Sequence, residues 1–290
     1  MRETQGRFHP AACDRADRDG FTLVELLVVI VILSILASLT LSGLNVGRHR
    51  AKIDRTKATI RKIDAVIQPM YEDYLDRSVP EDFLPVLMAH EMPDRWRDVI
   101  TEPEFTAITS STMAVDQSLR TGAIRGYSRI AKDDATRTKL AQKLTNAECL
   151  YLCVTRSGYE PDALEAFRPD EVGDLDGDGA KEFLDGWGKP IFFLRWAPGF
   201  TSPFQVVSGS TNREKIASLT PLIYSGGLDE SANDTLNGPD GYALKRPDDS
   251  IPRNRSTLST YDPVTSFPDV GQTTSSSAAD NITNHGLTAR

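Results

Sequence analysis

The chain carries the sequence Gly20-Phe21-Thr22-Leu23-Val24-Glu25 at residues 20–25, and a long apolar run follows it. No charged side chain occurs between residues 26 and 47. About 20 apolar residues, each adding about 1.5 Å along a helix, are enough to cross a bilayer. Glu25 is nevertheless a carboxylate near the start of the run, and an ionisable group at membrane depth costs roughly 2.5–3.5 kcal/mol on insertion scales. The stretch therefore predicts a membrane-spanning helix whose carboxylate serves a function.

The residues before this stretch are polar and contain four bases and four acids, which predicts a disordered leader. A secretory signal peptide has a basic start, a short apolar segment and a small-residue cleavage site behind that segment. Here the apolar run is longer and the small residue, Gly20, precedes it. Cleavage at Gly20 would remove the leader and keep the helix. The net charge of −8 over 290 residues argues against a nucleic-acid partner, which needs a basic surface.

The helical pattern continues beyond the membrane-spanning length. A 3-4 alternation of apolar side chains, with Thr56 as its weak position, comprises Ile53, Ile60, Ile63, Ile67, Met70 and Tyr74. We expect one helix from Phe21 to about Asp76, kinked or ended one turn early by Pro69. Its other faces carry seven bases, Arg48, Arg50, Lys52, Arg55, Lys57, Arg61 and Lys62. These bases indicate a solvated or lipid-headgroup face, or a surface that pairs with acidic surfaces of neighbouring copies.

The remainder of the chain predicts a head of mixed structure. Residues 191–194, 205–207 and 222–224 are short β-prone runs separated by Gly and Pro clusters. Thr145 and Glu148 have the spacing of a capping box before a short helix. The predicted fold class is α+β, with a long N-terminal helix, membrane-spanning in its first half, packed against a small antiparallel sheet with extra helices. The predicted segments are a leader at 1–20, a transmembrane half-helix at 21–44, an extracytoplasmic half-helix at 45–77, a globular head at 78–249 and a flexible Ser/Thr-rich tail at 250–290.

Two cysteines of the head, Cys149 and Cys153, are four residues apart, so a helix would place them on one face. They fit two small buried hydrophobic residues or a strained local disulfide, because helical i,i+4 geometry is poor for a bridge. No Cys or His spacing completes a zinc-type motif around them.

One acidic stretch has the spacing of a calcium loop. Carboxylates at positions 1, 3, 5, 9 and 12 surround a Gly at position 6, and position 7 offers its carbonyl. The predicted ligands are Asp174, Asp176, Asp178, Ala180, Glu182 and Asp185. Position 12 is Asp rather than the longer Glu, and flanking helices are not evident. The alternative interpretation is a solvated acidic turn.

A second acidic loop begins at Ser225 and includes Asp229 and Asp234. Its oxygens are less regularly spaced, so by itself it fits an ordinary surface loop better than a calcium site.

Residues 20–30 closely resemble the cleavage and methylation segment of type IV pilins and type II secretion pseudopilins. The resemblance implies that a prepilin peptidase cuts between Gly20 and Phe21 and methylates Phe21, which makes Glu25 the fifth mature residue. The stretch Asp185-Gly186-Trp187-Gly188-Lys189-Pro190 resembles the D-x-W-G-x-P entry to the sheet of major pseudopilins. Residues 224–229 are similar to their S-x-G-x-D calcium loop, which implies Asp229 and Asp234 as ligands.

The chain departs from the family pattern in its long acid-containing leader, in Ser42-Gly43 where a kinking Pro is common, and in an enlarged body between residues 80 and 173. The bases after the helix also outnumber those before it, which by the positive-inside tendency would place the body in the cytoplasm. We give the motif more weight, because processing requires a cytoplasmic leader. The resemblance then implies a single-pass inner-membrane protein with its head in the periplasm.

The predicted function is a structural filament subunit of a type II secretion pseudopilus or related type IV pilus-like machine, with calcium stabilising the head. The implied partners are copies of itself, other pilin-like subunits, prepilin peptidase and an inner-membrane assembly platform. The alternative is a membrane-anchored binding module that uses the pilin signal for export. An enzyme is not expected, because the four histidines His9, His49, His90 and His285 are scattered without a nucleophile motif.

Overall fold

The computed structural model describes residues 22–79, 84–96, 98, 145–227, 244, 264, 268–273 and 281–287. Its longest element is helix α1, Leu23–Asp76, which has 54 residues. The chain divides into two units, Met1–His49 and Arg50–Arg290, and the boundary lies within α1. Pro69 does not end the helix early. A proline removes one helical hydrogen bond, and the buried side chains that follow it, such as Tyr74, hold the last turns in place.

In the first unit, α1 presents its aliphatic side chains outward. Those described between Leu23 and Val46 are exposed. The hydroxyls of Ser34, Ser38 and Thr40 donate to helix carbonyls three or four residues back, at 2.7 to 2.9 Å. The hydrogen-bond donors of these side chains are therefore satisfied within the helix itself. By length and composition α1 can cross a bilayer, and it is the one such helix in the part of the chain that the structure describes.

In the second unit, the predicted apolar stripe of α1 faces the hydrophobic core. Its members from Ile60 to Tyr74 are at most 3% exposed, and Ile53 packs at the edge. Each large apolar side chain contributes about 1.5–3 kcal/mol when fully buried. The burial of the apolar stripe therefore sets which face of α1 packs against the core. The apolar stripe that the sequence predicts is confirmed.

The other elements are short. Helix α2 is Leu84–Glu91 and helix α3 is Thr145–Arg156, and two 3₁₀ turns follow at Ala163–Ala166 and Pro169–Glu171. The strands are β1 at Val172–Gly173, β2 at Glu182–Phe183, β3 at Phe192–Leu194, β4 at Leu222–Ser225 and β5 at Ile282–Thr283. Helix α4, Asn212–Ala217, precedes β4, and a 3₁₀ turn at Asn284–Gly286 follows β5. This is the predicted α+β class, a long N-terminal helix with small antiparallel sheets and extra helices.

The strands form two antiparallel sheets. Strands β1 and β2 make a two-stranded hairpin, and β3, β4 and β5 form a sheet with β4 in the centre. Phe193 lies opposite Ile223, and Tyr224 lies opposite Thr283. Strands β3 and β4 are buried on both faces, which agrees with their nearly continuous apolar sequences.

The sequence identified two strands of this sheet correctly and misplaced the third. Residues 205–207 are not a strand, because Gln205 is held by its side chain, whose Nε2 donates to two backbone carbonyls, and Val206 is 75% exposed. The third strand is β5, within the segment for which the composition predicted a flexible tail. Asn284 attaches it, donating to Asp64 on α1 at 2.8 Å and accepting the Ile223 N–H at 3.0 Å.

Two bases of α1 form ion pairs within the chain. Lys62 donates to Glu171 at 2.8 Å, and Arg55 pairs with Asp170 at 3.0 Å. Thr59 also donates to Glu171, at 3.1 Å, and all of these contacts hold the Pro169–Glu171 turn against α1. Neither sequence-based interpretation of the basic residues included such internal pairs.

A buried arginine attaches α2 to the end of β3. Arg195 is fully buried, donates to the carbonyl of Met92, and lies 3.3 Å from Asp94 and 3.4 Å from Asp98. The neighbouring helix α3 buries Cys149 and Cys153 as free thiols, which agrees with the first of the two interpretations of these cysteines.

Candidate functional site

The first acidic stretch forms the loop of the β1–β2 hairpin, at residues 174–181. Gly177 and Gly179 have φ angles of +75° and +98°, a region that glycine adopts without strain. Asp174 accepts two backbone N–H groups of the loop at 2.7 and 3.1 Å, and Asp178 accepts one at 2.8 Å. These contacts turn the backbone so that Asp174, Asp176 and Asp178 each offer one oxygen within 4.8 Å of the others.

Asp176 also belongs to a second group, which the sequence predicted only in part. Glu182 on β2 and Glu148 on α3 each offer an oxygen within 4.8 Å of the other and of Asp176. Both glutamates are 0% exposed. Oε2 of Glu182 accepts the Leu175 N–H at 3.1 Å, and Oε2 of Glu148 accepts the indole N–H of Trp96. Oε1 of each glutamate has no hydrogen-bond partner among the residues described.

The electrostatics of this group follow from burial. Loss of hydration, together with the negative charge of the loop aspartates, raises the pKa of Glu148 to about 9 and the pKa of Glu182 to about 8, although the hydrogen bond that each carboxylate accepts acts in the opposite direction. None of the three carboxylates forms an ion pair with a described Lys, Arg or His.

Such a group can hold protons or bind a cation. Several carboxylate oxygens converging on a turning backbone are the donors that hard cations such as calcium prefer. The unpartnered buried oxygens and the close approach of the carboxylates therefore fit a calcium-type ion.

Asp185, the ligand expected at position 12, lies in neither carboxylate group. Its Oδ1 accepts the N–H groups of Trp187 and Lys189 at 2.8 and 2.9 Å, and its Oδ2 accepts the Ser225 hydroxyl at 2.7 Å. This carboxylate organises the turn at residues 185–190 and attaches it to β4. Ala180, the expected carbonyl ligand, is 8% exposed and donates its N–H to Asp178.

The second acidic loop follows β4. The structure describes it as far as Gly227, whose N–H donates to Ser225 at 3.1 Å. Asp229 and Asp234 lie outside the described residues. A second calcium site at these positions stays a prediction.

At the other end of the chain, Thr22 and Glu25 form a reciprocal pair at the start of α1. The hydroxyl and the N–H of Thr22 both donate to Oε2 of Glu25 at 2.9 Å, and the Glu25 N–H donates to the Thr22 hydroxyl at 3.2 Å. This is a capping box, in which each side chain satisfies a backbone donor at the helix start. Gly20 and Phe21 lie outside the described residues.

Comparison with known protein families gives one match to this end of the chain. Residues 15–41 match the family model of the prokaryotic N-terminal methylation motif. This is a type IV pilin-like prepilin segment. No match was found among curated proteins or among solved structures.

The prepilin segment overlaps the start of α1, the helix that can cross a membrane by length and composition. An apolar helix near the N-terminus with this signal fits a membrane anchor. The capping box within the segment was readable from the Thr-x-x-Glu spacing of Thr22 and Glu25. The cap is a second role of Glu25, in addition to the charge at membrane depth for which the residue stood out in the sequence.

Glu148 was missed as a functional residue. Its sequence signal is a carboxylate inside an otherwise apolar run, Ala147-Glu148-Cys149-Leu150. A capping-box role accounted for it at the helix surface, whereas the structure buries it against Trp96 and the acidic loop.

Proposed function

We propose that the chain is a structural subunit of a type II secretion pseudopilus or a related type IV pilus-like filament. In this proposal, prepilin peptidase cuts between Gly20 and Phe21 and methylates Phe21. The mature chain then sits in the inner membrane through the first half of α1, with its head in the periplasm. The observation that carries the proposal is the methylation motif at residues 15–41, which runs directly into an outward-facing apolar helix.

Glu25 is the residue that we assign to docking. When apolar helices bundle in a filament, a buried carboxylate needs a compensating charge. The amine of Phe21, freed by cleavage on a neighbouring subunit, supplies that charge and selects one axial register. Such a head-to-tail contact is heterologous, so it extends an open filament.

The capping box indicates which oxygen of Glu25 is left to contact the neighbouring subunit. Both bonds from Thr22 go to Oε2 of Glu25. Oε1 is therefore the atom that we assign to the neighbouring amine. In this arrangement Glu25 starts its own helix and docks the next subunit with the same carboxylate.

The head is proposed to bind calcium at the hairpin loop, with Asp174, Asp176, Asp178 and Glu182 as side-chain ligands. The converging oxygens and the buried, unpartnered Oε1 of Glu182 support this assignment. Bound calcium would offset the mutual repulsion of the carboxylates and stabilise the hairpin.

The filament proposal is tested with two matched variants and the mature protein in its native host. Glu25→Gln keeps an oxygen that can accept the Thr22 bonds but removes the charge. Thr22→Val removes the hydroxyl of the cap, at a cost of about 1 kcal/mol, and keeps the charge. We expect Glu25→Gln to insert into the membrane and to be processed, but to be absent from sheared filaments, whereas Thr22→Val is incorporated.

Normal incorporation of Glu25→Gln into filaments would overturn the docking role of Glu25. If both variants are absent from filaments, the role of Glu25 would be that of a helix cap. Mass spectrometry of the mature N-terminal peptide should show a methylated Phe21, and an uncut chain would contradict processing. A processed protein that stays monomeric in the membrane would favour the anchored binding module, with its partner captured by residues 80–170.

A further inference from the structure

We infer that Glu148, on helix α3, is a ligand of the cation bound by the hairpin loop, and that the cation therefore joins the loop to the helical part of the head. This inference rests on the proposed calcium site and adds a residue far from the loop in sequence. Glu148 precedes Asp174 by 26 positions and lies outside any linear calcium motif.

Glu148 lies close enough to the loop carboxylates to share a cation with them. The oxygen that Glu148 offers lies within 4.8 Å of the oxygens offered by Asp176 and Glu182. A cation with ligand distances of about 2.3–2.6 Å can contact oxygens separated by this amount. Since Asp176 also belongs to the group with Asp174 and Asp178, one shared residue connects Glu148 to the rest of the loop.

The burial of Glu148 also favours a cation, because only one of its two oxygens accepts a hydrogen bond from a described residue. Glu148 is 0% exposed, its Oε2 accepts the Trp96 indole N–H, and its Oε1 has no partner among the described residues. A buried polar atom without a hydrogen-bond partner is destabilising, and more so if it is charged. Glu182 is buried in the same way and faces the same group. A divalent cation would satisfy both oxygens and compensate both charges.

The last ligand expected from the linear calcium motif, Asp185, is bound elsewhere in the fold. Asp185 stands at position 12, where a calcium loop places its bidentate carboxylate. Both of its oxygens accept hydrogen bonds from the 185–190 turn and from Ser225. Asp185 is thus engaged elsewhere, and the carboxylate that the fold brings to Asp176 and Glu182 is Glu148.

A cation bound by Glu148 and the loop would connect separate elements of the head. Trp96 follows α2 along the chain and binds Glu148, while Glu182 belongs to β2. Cation binding at this site would hold α3, the segment around Trp96 and the hairpin together. Calcium should therefore slow amide hydrogen exchange at residues 146–150 as well as in the loop.

The test titrates calcium chloride into the full chain in detergent and compares three variants by calorimetry. Glu148→Gln keeps an oxygen for Trp96 but loses the charged ligand, Asp174→Asn alters the loop, and Glu165→Gln changes an exposed glutamate as a control. We expect the calcium Kd to rise at least tenfold in Glu148→Gln and Asp174→Asn and to stay unchanged in Glu165→Gln. Calcium should also slow exchange at residues 146–150 in the parent chain but not in Glu148→Gln.

The possible results distinguish the role of Glu148 from the calcium site of the hairpin loop. If Glu148→Gln binds calcium with the parent Kd while Asp174→Asn does not, the loop site stands and the role of Glu148 is overturned. If the parent chain does not bind calcium, the loop site and this inference both fail, and the filament proposal is unaffected. The thermal midpoint without calcium serves as the folding control. We expect it to be close to that of the parent chain, because Gln has nearly the same volume as Glu and keeps an oxygen that can accept the Trp96 N–H.

Discussion

The backbone N–H of Gly186 donates to the hydroxyl oxygen of Thr56 at 2.9 Å, across 130 residues of sequence. Thr56 is the position at which the apolar stripe of α1 is weakest, and it is nevertheless fully buried. Its hydroxyl donates in turn to the Lys52 carbonyl at 2.9 Å. The polar residue in the stripe is thus the point at which the turn at residues 185–190 attaches to α1.

Gly186 should tolerate no side chain, since a Cβ there would lie 2.3 Å from the carbonyl oxygen of Lys52. We expect Gly186→Ala to lower the free energy of unfolding of the head by about 1–3 kcal/mol, because backbone on both sides must move. Gly286→Ala is the control, because its Cβ would approach no atom closer than 3.7 Å. Denaturant unfolding of the full chain in detergent measures the free energy of unfolding of both variants. Equal midpoints for the two variants would contradict the close approach.

Glu171 should make the stability of the head depend on acid pH. Burial alone would raise its pKa, but hydrogen bonds from the Arg168 N–H, Lys62 and Thr59 outweigh burial and lower the pKa below its ordinary value of 4.5. The ionised form is therefore the stabilising one. Its contribution is fully present above the ordinary value and is lost as the pH falls through the lowered value.

Glu171→Gln should accordingly cost about 1–3 kcal/mol near pH 7, through loss of charged hydrogen bonds to Lys62 and its neighbours. The difference from the parent chain should shrink as the pH falls through the lowered pKa of Glu171, which lies below its ordinary value of 4.5. Asp170→Asn is the control, since that exposed pair with Arg55 contributes at most about 1 kcal/mol. Urea unfolding at a series of pH values measures the effect, and a difference that is constant with pH would refute it.

A negative charge at position 284 should destabilise the head. It accepts the Ile223 N–H at 3.0 Å and donates to Asp64 at 2.8 Å, which fixes β5 to β4 and to α1. Asn284→Asp keeps the shape but loses the donor and places a carboxylate against Asp64. We expect a loss of about 1–3 kcal/mol in the free energy of unfolding.

The matched control for Asn284 is the double variant with Asp64→Asn. It restores a donor opposite the new carboxylate, so it should recover part of the lost stability, as a double-mutant cycle would measure. Identical stability of the single and double variants would show that Asp64 and Asn284 do not interact.

Several features were readable from the sequence because their causes are local. The apolar run and the prepilin segment occupy one continuous stretch, and a helix in a bilayer satisfies its backbone within that stretch. The stripe from Ile53 to Tyr74 repeats at helical spacing, so its burial followed from periodicity alone. Strands β3 and β4 were recognisable as short apolar runs between Gly and Pro clusters.

The errors arose where side chains acted over a distance. Residues 205–207 have a β-prone composition, but Gln205 uses its side chain to bind backbone carbonyls, so no strand forms. Strand β5 has only two residues, and its place depends on Asn284 reaching Asp64 across 220 positions. A composition rich in Ser and Thr gave no sign of that contact.

The sequence by itself determined the N-terminal segment of this protein: a prokaryotic methylation motif, a helix that can span a membrane by length and composition, and a carboxylate at the start of that helix. It also determined the turning acidic loop, since Asp and Gly spacing sets the local backbone. Only the tertiary structure decided which carboxylates meet. It turned Asp185 toward Ser225 and brought buried Glu148 to Asp176 and Glu182, because packing of α3 against the hairpin, rather than sequence spacing, sets those distances.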